Sequence, residues 1–475
     1  MGVQKTISSL IEEKRDLFIN LSDRVWETPE LYFAERESSE ALASALENEG
    51  FDVERKVAGL DTGFVASFGS GKPVIAVLGE FDALAGLSQK KGLTEHAPVN
   101  DGGNGHGCGH NLLGTGSLAA AVAVKEYMQE TGLKGTIRYY GCPAEENGSG
   151  KAYMVREGLF EDVDLAFSWH PMTKPSIWHV STLANYSVRF RFKGKSAHAA
   201  AAPHLGRSAL DAVELMNVGV NYLREHMIPE ARIHYAITDT GGHSPNVVQS
   251  HAEVLYLIRA PRKKAVQELT ERVHNIAEGA ALMTGTSVEA VFEGAASDLV
   301  PNTVLAETMY KHLAAIGIPA YDEQDYRFAE GIQATLSEED IEADLAGLDR
   351  ETAKMMKGRA IADLLPPFAE EVALSGSTDV GDVSWVVPTM QCLTACFALG
   401  TPLHTWQVVS QGAMPIAHKG MLQAAKVIAC TAVDAMENPA IIERATAEWK
   451  ERLDGEAYLS LIPEDKTPPR QWDRT

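Results

Sequence analysis

The chain is short of the features that would place it in several large classes of protein. It has 5 cysteines in 475 residues, an odd number in a long chain, which points to reduced thiols and away from a disulfide-built scaffold. Basic side chains are scarce: 42 Lys and Arg face 65 Asp and Glu, and the formal charge of −23 argues against a nucleic-acid or anionic-membrane surface. No uninterrupted apolar run is long enough to cross a bilayer, and the opening MGVQKTISSLIEEKRDLFINL holds no apolar core of signal-peptide length, so a cytoplasmic location is expected. Internal repeats and low-complexity tracts are missing as well. What remains is a globular protein whose 45% hydrophobic content suffices for sizeable cores. Its length suggests roughly two to four structural units.

The periodicities change along the chain. KPVIAVLGEFDAL reads as a buried strand with its exit loop, NLLGTGSLAAAVAVKEYMQETG as a helix ended by glycine, and GTIRYYGCPAEE as a second strand and loop. GSGKAYMVREGLF then supplies a helix and DLAFSWHP a third strand. This alternation predicts an α/β domain in which helices sandwich a mostly parallel sheet, with ligand sites beyond the carboxyl ends of the strands. From about residue 184 the order becomes β-α-β-β-α-β: strand YSVRFRFKGKSAHAA, helix SALDAVELMNVGVNYLREH, strands RIHYAITD and EVLYLIRA, a helix at 262–283 and strand SVEAVFEG. That is the ferredoxin-like unit. The expected division is a discontinuous main domain at 1–183 and 296–475, interrupted by a smaller domain at 184–295. After the interruption come a helix from Asn302, an acidic stretch at 320–372 that reads as helical and solvated, a strand in MQCLTACFAL and a helix starting near Ala417.

Candidate ligands fall where a parallel sheet would gather them. Cys108 and His110 lie in the glycine-rich GNGHGCGHN that opens a helix, Glu145 and Glu146 follow a strand, His170 ends DLAFSWHP, and His404 follows the strand and turn CFALGTPLHTW. Thiolate, imidazole and carboxylate together suit zinc or a similar divalent ion, and there are more donors here than one tetrahedral ion with an open position needs. Two ions would use them all. Glu145 and Glu146, if extended, point to opposite sides, so one carboxylate can bind metal while its neighbour faces the attacking water. Taken singly, each residue has a plainer reading. Two glutamates after a strand are usually a solvated helix start, and a lone histidine is more often hydrogen-bonded than a ligand. His106 is expected to play a structural or supporting part, and Cys142, Cys392, Cys396 and Cys430 to fill cores. The joint placement is what favours a metal centre.

The motifs GEFDAL, GHGCGHNLLG, PAEENGSGK, SWHP, GKSAHAAAAPHLGRSALDA, PNVVQSHAEVLYLIRA, LVPN and STDVGDVSWVVPT, in that order, cover nearly the whole chain. Together they resemble the metal-dependent aminoacylase and carboxypeptidase superfamily, peptidase family M20, in the amidohydrolase branch where Cys-Gly-His replaces the usual aspartate. The resemblance implies that Cys108 bridges two metals, that His110 and His170 complete one site and Glu146 and His404 the other, and that Glu145 is the general base. It also implies that the inserted domain is a lid and dimerisation module. In that module His198 would donate to the oxyanion, reaching the partner subunit's site, while Asn246 and Arg259 would hold the substrate's carboxylate. From the residues alone, His198 reads as an exposed loop histidine and Arg259 as a strand-end surface charge.

Two features depart from the family pattern. Asn111 stands where many members of the branch have aspartate, which removes a carboxylate from the neighbourhood of the metals, and the acidic stretch is longer than a minimal catalytic domain needs. The expected function is hydrolysis of an N-acyl amino acid with a free carboxylate, p-aminobenzoyl-glutamate being the leading candidate, with two divalent ions, zinc or manganese. A homodimer is expected, or a heteromer with a related subunit, without nucleic acid or membrane. Two rivals stand beside this reading. One makes Cys108 the nucleophile of a cysteine amidase; the other makes the chain a poorly active subunit of a two-chain hydrolase.

Overall fold

The computed structural model describes residues 2–469. Its strands, in chain order, are β1 (Asp52–Arg55), β2 (Phe64–Ser70), β3 (Val74–Glu80), β4 (Gly135–Cys142), β5 (Leu165–Met172), β6 (Ser176–Ile177) and β7 (Val180–Ser181). There follow β8 (Ala184–Lys193), β9 (Arg232–Asp239), β10 (His251–Ala260), β11 (Ser287–Ala296), β12 (Val372–Ala373) and β13 (Thr389–Ala395). The main sheet has the order β1-β2-β4-β3-β5-β13-β6. Its centre, β4-β3-β5-β13, is parallel, and the edges are antiparallel. β3 is buried along its whole length, as a VIAVLGE run between two helix layers should be. Helix His110–Thr131 lies close against this sheet because its small residues permit it: a Cβ at Gly114 would stand 2.6 Å from the carbonyl of Glu80, and one at Gly116 would stand 2.7 Å from the Trp169 ring. Helix Pro415–Glu437 joins the same apolar core.

A second sheet, β11-β8-β10-β9, is antiparallel throughout. It spans Ala184 to Ala296 with helices Ala209–Leu223 and Lys263–Thr284 in the β-α-β-β-α-β order. Alternate residues Val188, Phe190, Phe192, Val254, Tyr256 and Ile258 pack under these helices against Val213, Met216, Val220 and Val273. The intervening residues, among them Asn185, Arg189, Leu257 and Arg259, face a cleft toward the main domain. After helix Pro439–Leu453 the chain runs along the junction of the two units. Lys263 Nζ donates to the Ala457 carbonyl at 2.8 Å, Arg156 Nη1 donates to the Lys466 carbonyl at 2.8 Å, and Leu461 enters the core of the inserted unit.

Three details differ from the expectations. β1 and β2 were unforeseen, because DVER is a short, charged edge strand and the glycine and serines of FVASFGS blur the alternation. The strand expected over MQCLTACFAL ends at Ala395, where the N–H groups of Cys396 and Phe397 turn to the Met172 carbonyl at 2.8 and 3.2 Å. The acidic stretch is helical at Glu323–Gln333, Glu338–Leu345 and Arg350–Met356, but it is not simply solvated. Ala329 and Ile332 pack on Ala398 and Ile416, and Leu345 and Met356 pack on Ala395 and Leu399. Its acids sit at helix starts, where Asp322, Ser337 and Asp349 cap the helices, while the apolar faces turn inward. Among the described residues no helix is long and apolar enough to cross a membrane.

Candidate metal centre

The adjacent carboxyl ends of β4, β3, β5 and β13 bring four distant segments together. Glu145 and Glu146 follow β4, Glu80 and Asp82 lie at the end of β3, His170 is in β5, and the loop after β13 carries His404. The N-terminus of helix His110–Thr131 adds Cys108 and His110. Between those two, Gly109 has φ +77°, and a Cβ there would stand 2.8 Å from Pro171 and 3.0 Å from Phe397, so glycine alone permits the turn.

Two clusters of donor atoms share Cys108, namely Cys108–His110–His170 and Cys108–Glu146–His404, and a third joins Glu80, His110 and Glu145; within each the atoms lie within 4.8 Å of one another. Cys108 Sγ lies 3.4 Å from His170 Nε2, and His404 Nε2 lies 3.3 Å from Glu146 Oε1. His170 Nδ1 is 3.0 Å from the Pro171 carbonyl, which turns Nε2 toward the cysteine. His110 Nε2 and Glu146 Oε1 are buried, with Glu80 Oε2 and His404 Nε2 respectively at 3.3 Å. Buried thiol, imidazole and carboxylate groups held together in two sets with one thiol in common fit a pair of divalent cations.

Electrostatics agree with a cation-seeking pocket. Burial raises the Cys108 thiol well above its ordinary range, and the Glu146 carboxylate adds to the effect. Burial together with Glu80 and Glu146 also raises Glu145. His170 is lowered to about 4 by burial and by the nearby His110. Glu146 goes the other way, since the His404 hydrogen bond and His110 outweigh its burial. His106 is lowered to about 4 by burial; its Nε2 sits 3.0 Å from the Val25 carbonyl, outside these clusters. Cys142, Cys392, Cys396 and Cys430 are buried free thiols.

Glu145 and Glu146 are not extended. They occupy a turn entered through Ala144, whose φ is +61° and whose N–H donates to Glu35 Oε1 at 2.8 Å, while Gly148 N–H returns to the Ala144 carbonyl at 3.0 Å. The two carboxylates diverge because the turn separates them: Glu146 goes to His404, and Glu145 to Glu80, His110 and the cleft.

Several residues at the site had no role in the sequence reading. Asp82 Oδ1 lies 2.8 Å from His110 Nδ1, and its Oδ2 accepts the Glu146 N–H at 2.9 Å, so one carboxylate orders a member of each cluster. Lys151 is fully buried, with Nζ 2.7 Å from Glu80 Oε1 and 2.6 Å from Asp379 Oδ1. GEFDAL and PAEENGSGK contain these residues, but a carboxylate at a strand end and a lysine in a helix look ordinary until their partners are known. Asn111 points away from the cations' place, donating to Ser22 Oγ at 3.2 Å and the Gly412 carbonyl at 2.9 Å. The carboxylate beside His110 is Asp82 instead.

The remaining candidates divide. Arg259 lines a cleft of about 440 Å³ that also touches Glu145, Glu146 and His404. Its Nη1 donates to the Ser375 carbonyl at 3.2 Å, and its Nε is buried without a partner. Arg189, in the same wall, is engaged by Glu253 at 2.6 Å and Glu293 at 2.8 Å. His198 and Asn246 are not gathered here. Both are exposed; His198 Nδ1 accepts the N–H groups of Ala200 and Ala201 at 3.2 Å, and the Asn246 carbonyl accepts the Ala199 N–H at 2.9 Å.

Comparison with known proteins points the same way. The model of peptidase family M20/M25/M40 matches residues 76–339. Over 474 residues the chain is 51% identical to one of the subunits of the p-aminobenzoyl-glutamate hydrolase of Escherichia coli (strain K12), covering 98% of each. It is 30% identical to the Xaa-Arg dipeptidase of Mus musculus, over 96% of this chain and 94% of that one. Among solved structures, a dinuclear metal-binding peptidase of the M20 family from Bacillus subtilis superposes with a TM-score of 0.56 at 19% identity, over 90% of this chain and 99% of the other. An aminobenzoyl-glutamate utilization protein from Klebsiella pneumoniae also gives 0.56, at 16% identity, over 89% and 98%. At such identities these two speak for the fold alone.

Proposed function

The chain belongs to peptidase family M20/M25/M40, and from that membership we propose that it hydrolyses p-aminobenzoyl-glutamate to p-aminobenzoate and glutamate. It is a metal-dependent amidohydrolase. The observation that carries the finer reading is Cys108, common to two donor sets. In it Cys108, His110 and His170 would hold one divalent ion, zinc or manganese, and Cys108, Glu146 and His404 would hold a second. Such ions, when bound, lower the pKa of water and polarise a carbonyl.

Glu145 then does the proton work. It faces the cleft and carries a raised pKa, which suits a carboxylate that takes a proton from the attacking water and gives it to the departing nitrogen. Arg259, with its unpartnered Nε, is assigned to the substrate's free carboxylate. The unit at 184–295 is the lid and dimerisation module of a catalytic domain formed by 1–183 and 296–475. Its edge strand β9, with Tyr235 and Ile237 exposed, supports pairing with a second copy or a related subunit. In such an assembly His198 and Asn246, remote from their own cleft, would serve the partner's. A cytoplasmic setting accords with the five free thiols.

The experiment is hydrolysis of p-aminobenzoyl-glutamate, other N-acyl amino acids and Xaa-Arg dipeptides by the purified chain, before and after chelation. Activity lost with chelator and restored by zinc or manganese is expected. Activity that ignores chelator but dies with iodoacetamide would make Cys108 the nucleophile instead, and silence on every substrate would assign turnover to an assembly with another chain.

A further inference from the structure

One side chain of the long acidic segment reaches two of the segments that carry the candidate donors. Asp344, on helix Glu338–Leu345, is 15% exposed at its side chain and reaches in two directions. Its Oδ1 accepts from Thr173 Oγ1 at 2.9 Å and from the Lys174 ammonium, which also donates to the Asp344 carbonyl. Its Oδ2 accepts the Gly400 N–H at 2.8 Å. Thr173 and Lys174 directly follow the segment that carries His170, and Gly400 opens the loop that carries His404. One carboxylate thus joins ligand-bearing segments from the two donor sets that share Cys108, as Asp82 does from the other side.

The His404 loop needs such ties. β13 ends at Ala395, and His404 has φ +61° with its ring 52% exposed, so neither the sheet nor burial places it. A non-glycine residue held there is strained and persists only where the surroundings impose it. Bonds to the loop's backbone do so. The Leu399 N–H donates to the Ala360 carbonyl at 2.8 Å, the Leu399 carbonyl accepts from Gln333 Nε2 at 3.0 Å, Gly400 N–H donates to Asp344, and His404 N–H donates to the Gly107 carbonyl at 2.8 Å. Three of these come from the acidic segment and one from the residue before Cys108, while the start of the loop is held by the Met172 carbonyl and by Gln411 Oε1, which accepts the Ala398 N–H at 2.7 Å. Ile341 closes the contact: a Cβ at Gly400 would stand 2.7 Å from its side chain.

We infer that the acidic segment is a brace for the metal centre and that Asp344 is the positioning residue that sets His404 relative to His170. The inference rests on the reading of these histidines as ligands of two divalent ions. Asp344 touches no reacting atom; it acts through the loops it joins.

Zinc uptake tests it, measured by elemental analysis and by titration against a competing chelator, beside thermal melting. Asp344→Ala removes both acceptors, and Asp344→Asn keeps the shape with one oxygen. Asp325→Ala is the comparison, because Asp325 lies in the same segment and accepts from Lys419 and from the Asp322 N–H at 2.8 Å, touching neither loop. The unsubstituted protein should bind two ions per chain and His404→Ala one. Both Asp344 variants should hold the second ion about 10-fold more weakly, the lower range for residues that orient ligands. Asp325→Ala should melt earlier yet bind both ions normally. Two ions held with unchanged affinity in Asp344→Ala would overturn the brace, as would equal weakening in Asp325→Ala. Fewer than two ions in the unsubstituted protein would overturn the two-ion reading, and the brace with it.

Discussion

The main domain and the inserted unit are both α/β layers, yet they treat functional groups differently. In the main domain the sheet is covered on both faces, and the groups at its strand ends are buried and held twice over: His110 by Asp82 and Glu80, Glu146 by Asp82 and His404. In the inserted unit one face of the sheet is covered by helices, while the other stays half-exposed toward the cleft, with charges paired at its surface. His198 and Asn246 lie on two loops that bond to each other, away from the donors. The difference teaches that the main domain gathers its candidate donors within one chain, whereas of the inserted unit's candidates Arg259 lines the cleft and His198 and Asn246 do not.

Five substitutions would sharpen or break that contrast. Glu145→Gln should lower kcat by about 10²–10⁴-fold while zinc per chain stays unchanged; metal loss in parallel would make Glu145 a ligand. Next in size, Lys151→Met should destabilise the fold by about 3–5 kcal/mol in denaturant unfolding, because Glu80 and Asp379 would remain buried without their cation. The matching change in the inserted unit, Arg189→Met, should cost only about 1 kcal/mol or less, since its pairs with Glu253 and Glu293 are partly solvated. Equal costs would break the contrast.

His198→Ala should lower kcat by about 10²-fold if it donates to an oxyanion. Mixing His198→Ala with Glu145→Gln subunits should then restore activity, because one site of the mixed pair keeps both residues; no recovery would place His198 in its own chain's site, and an unchanged kcat in His198→Ala would place it outside the reaction. Smallest of these, Arg259→Ala should raise KM for p-aminobenzoyl-glutamate by roughly 10–100-fold with kcat little changed, the loss of one charged hydrogen-bond partner. An unaltered KM would remove Arg259 from the carboxylate site.

Much of the site could be read before any coordinates because its donors are chemically distinctive. Cys108, His110, His170 and His404 stand at the ends of strands or the start of a helix, and the parallel-sheet rule brings such ends together. Asp82 and Glu80 gave no comparable signal, since acids at strand ends are common and their value lies in the histidine they face. The turn at Ala144 was misread as extended because its left-handed φ depends on Glu35, 109 positions away.

Taken alone, the sequence determined the alternation of elements, the order of the two sheets along the chain and the residue types of a divalent-metal pocket, because periodicity and donor chemistry are local properties. Only the tertiary structure decided which carboxylates are compensated, which loops are braced and which candidates meet. Lys151 and Asp379 lie 228 positions apart and Asp344 and Gly400 lie 56 apart. Charge compensation in a buried site acts through space, at distances of about 3 Å that chain separation does not encode.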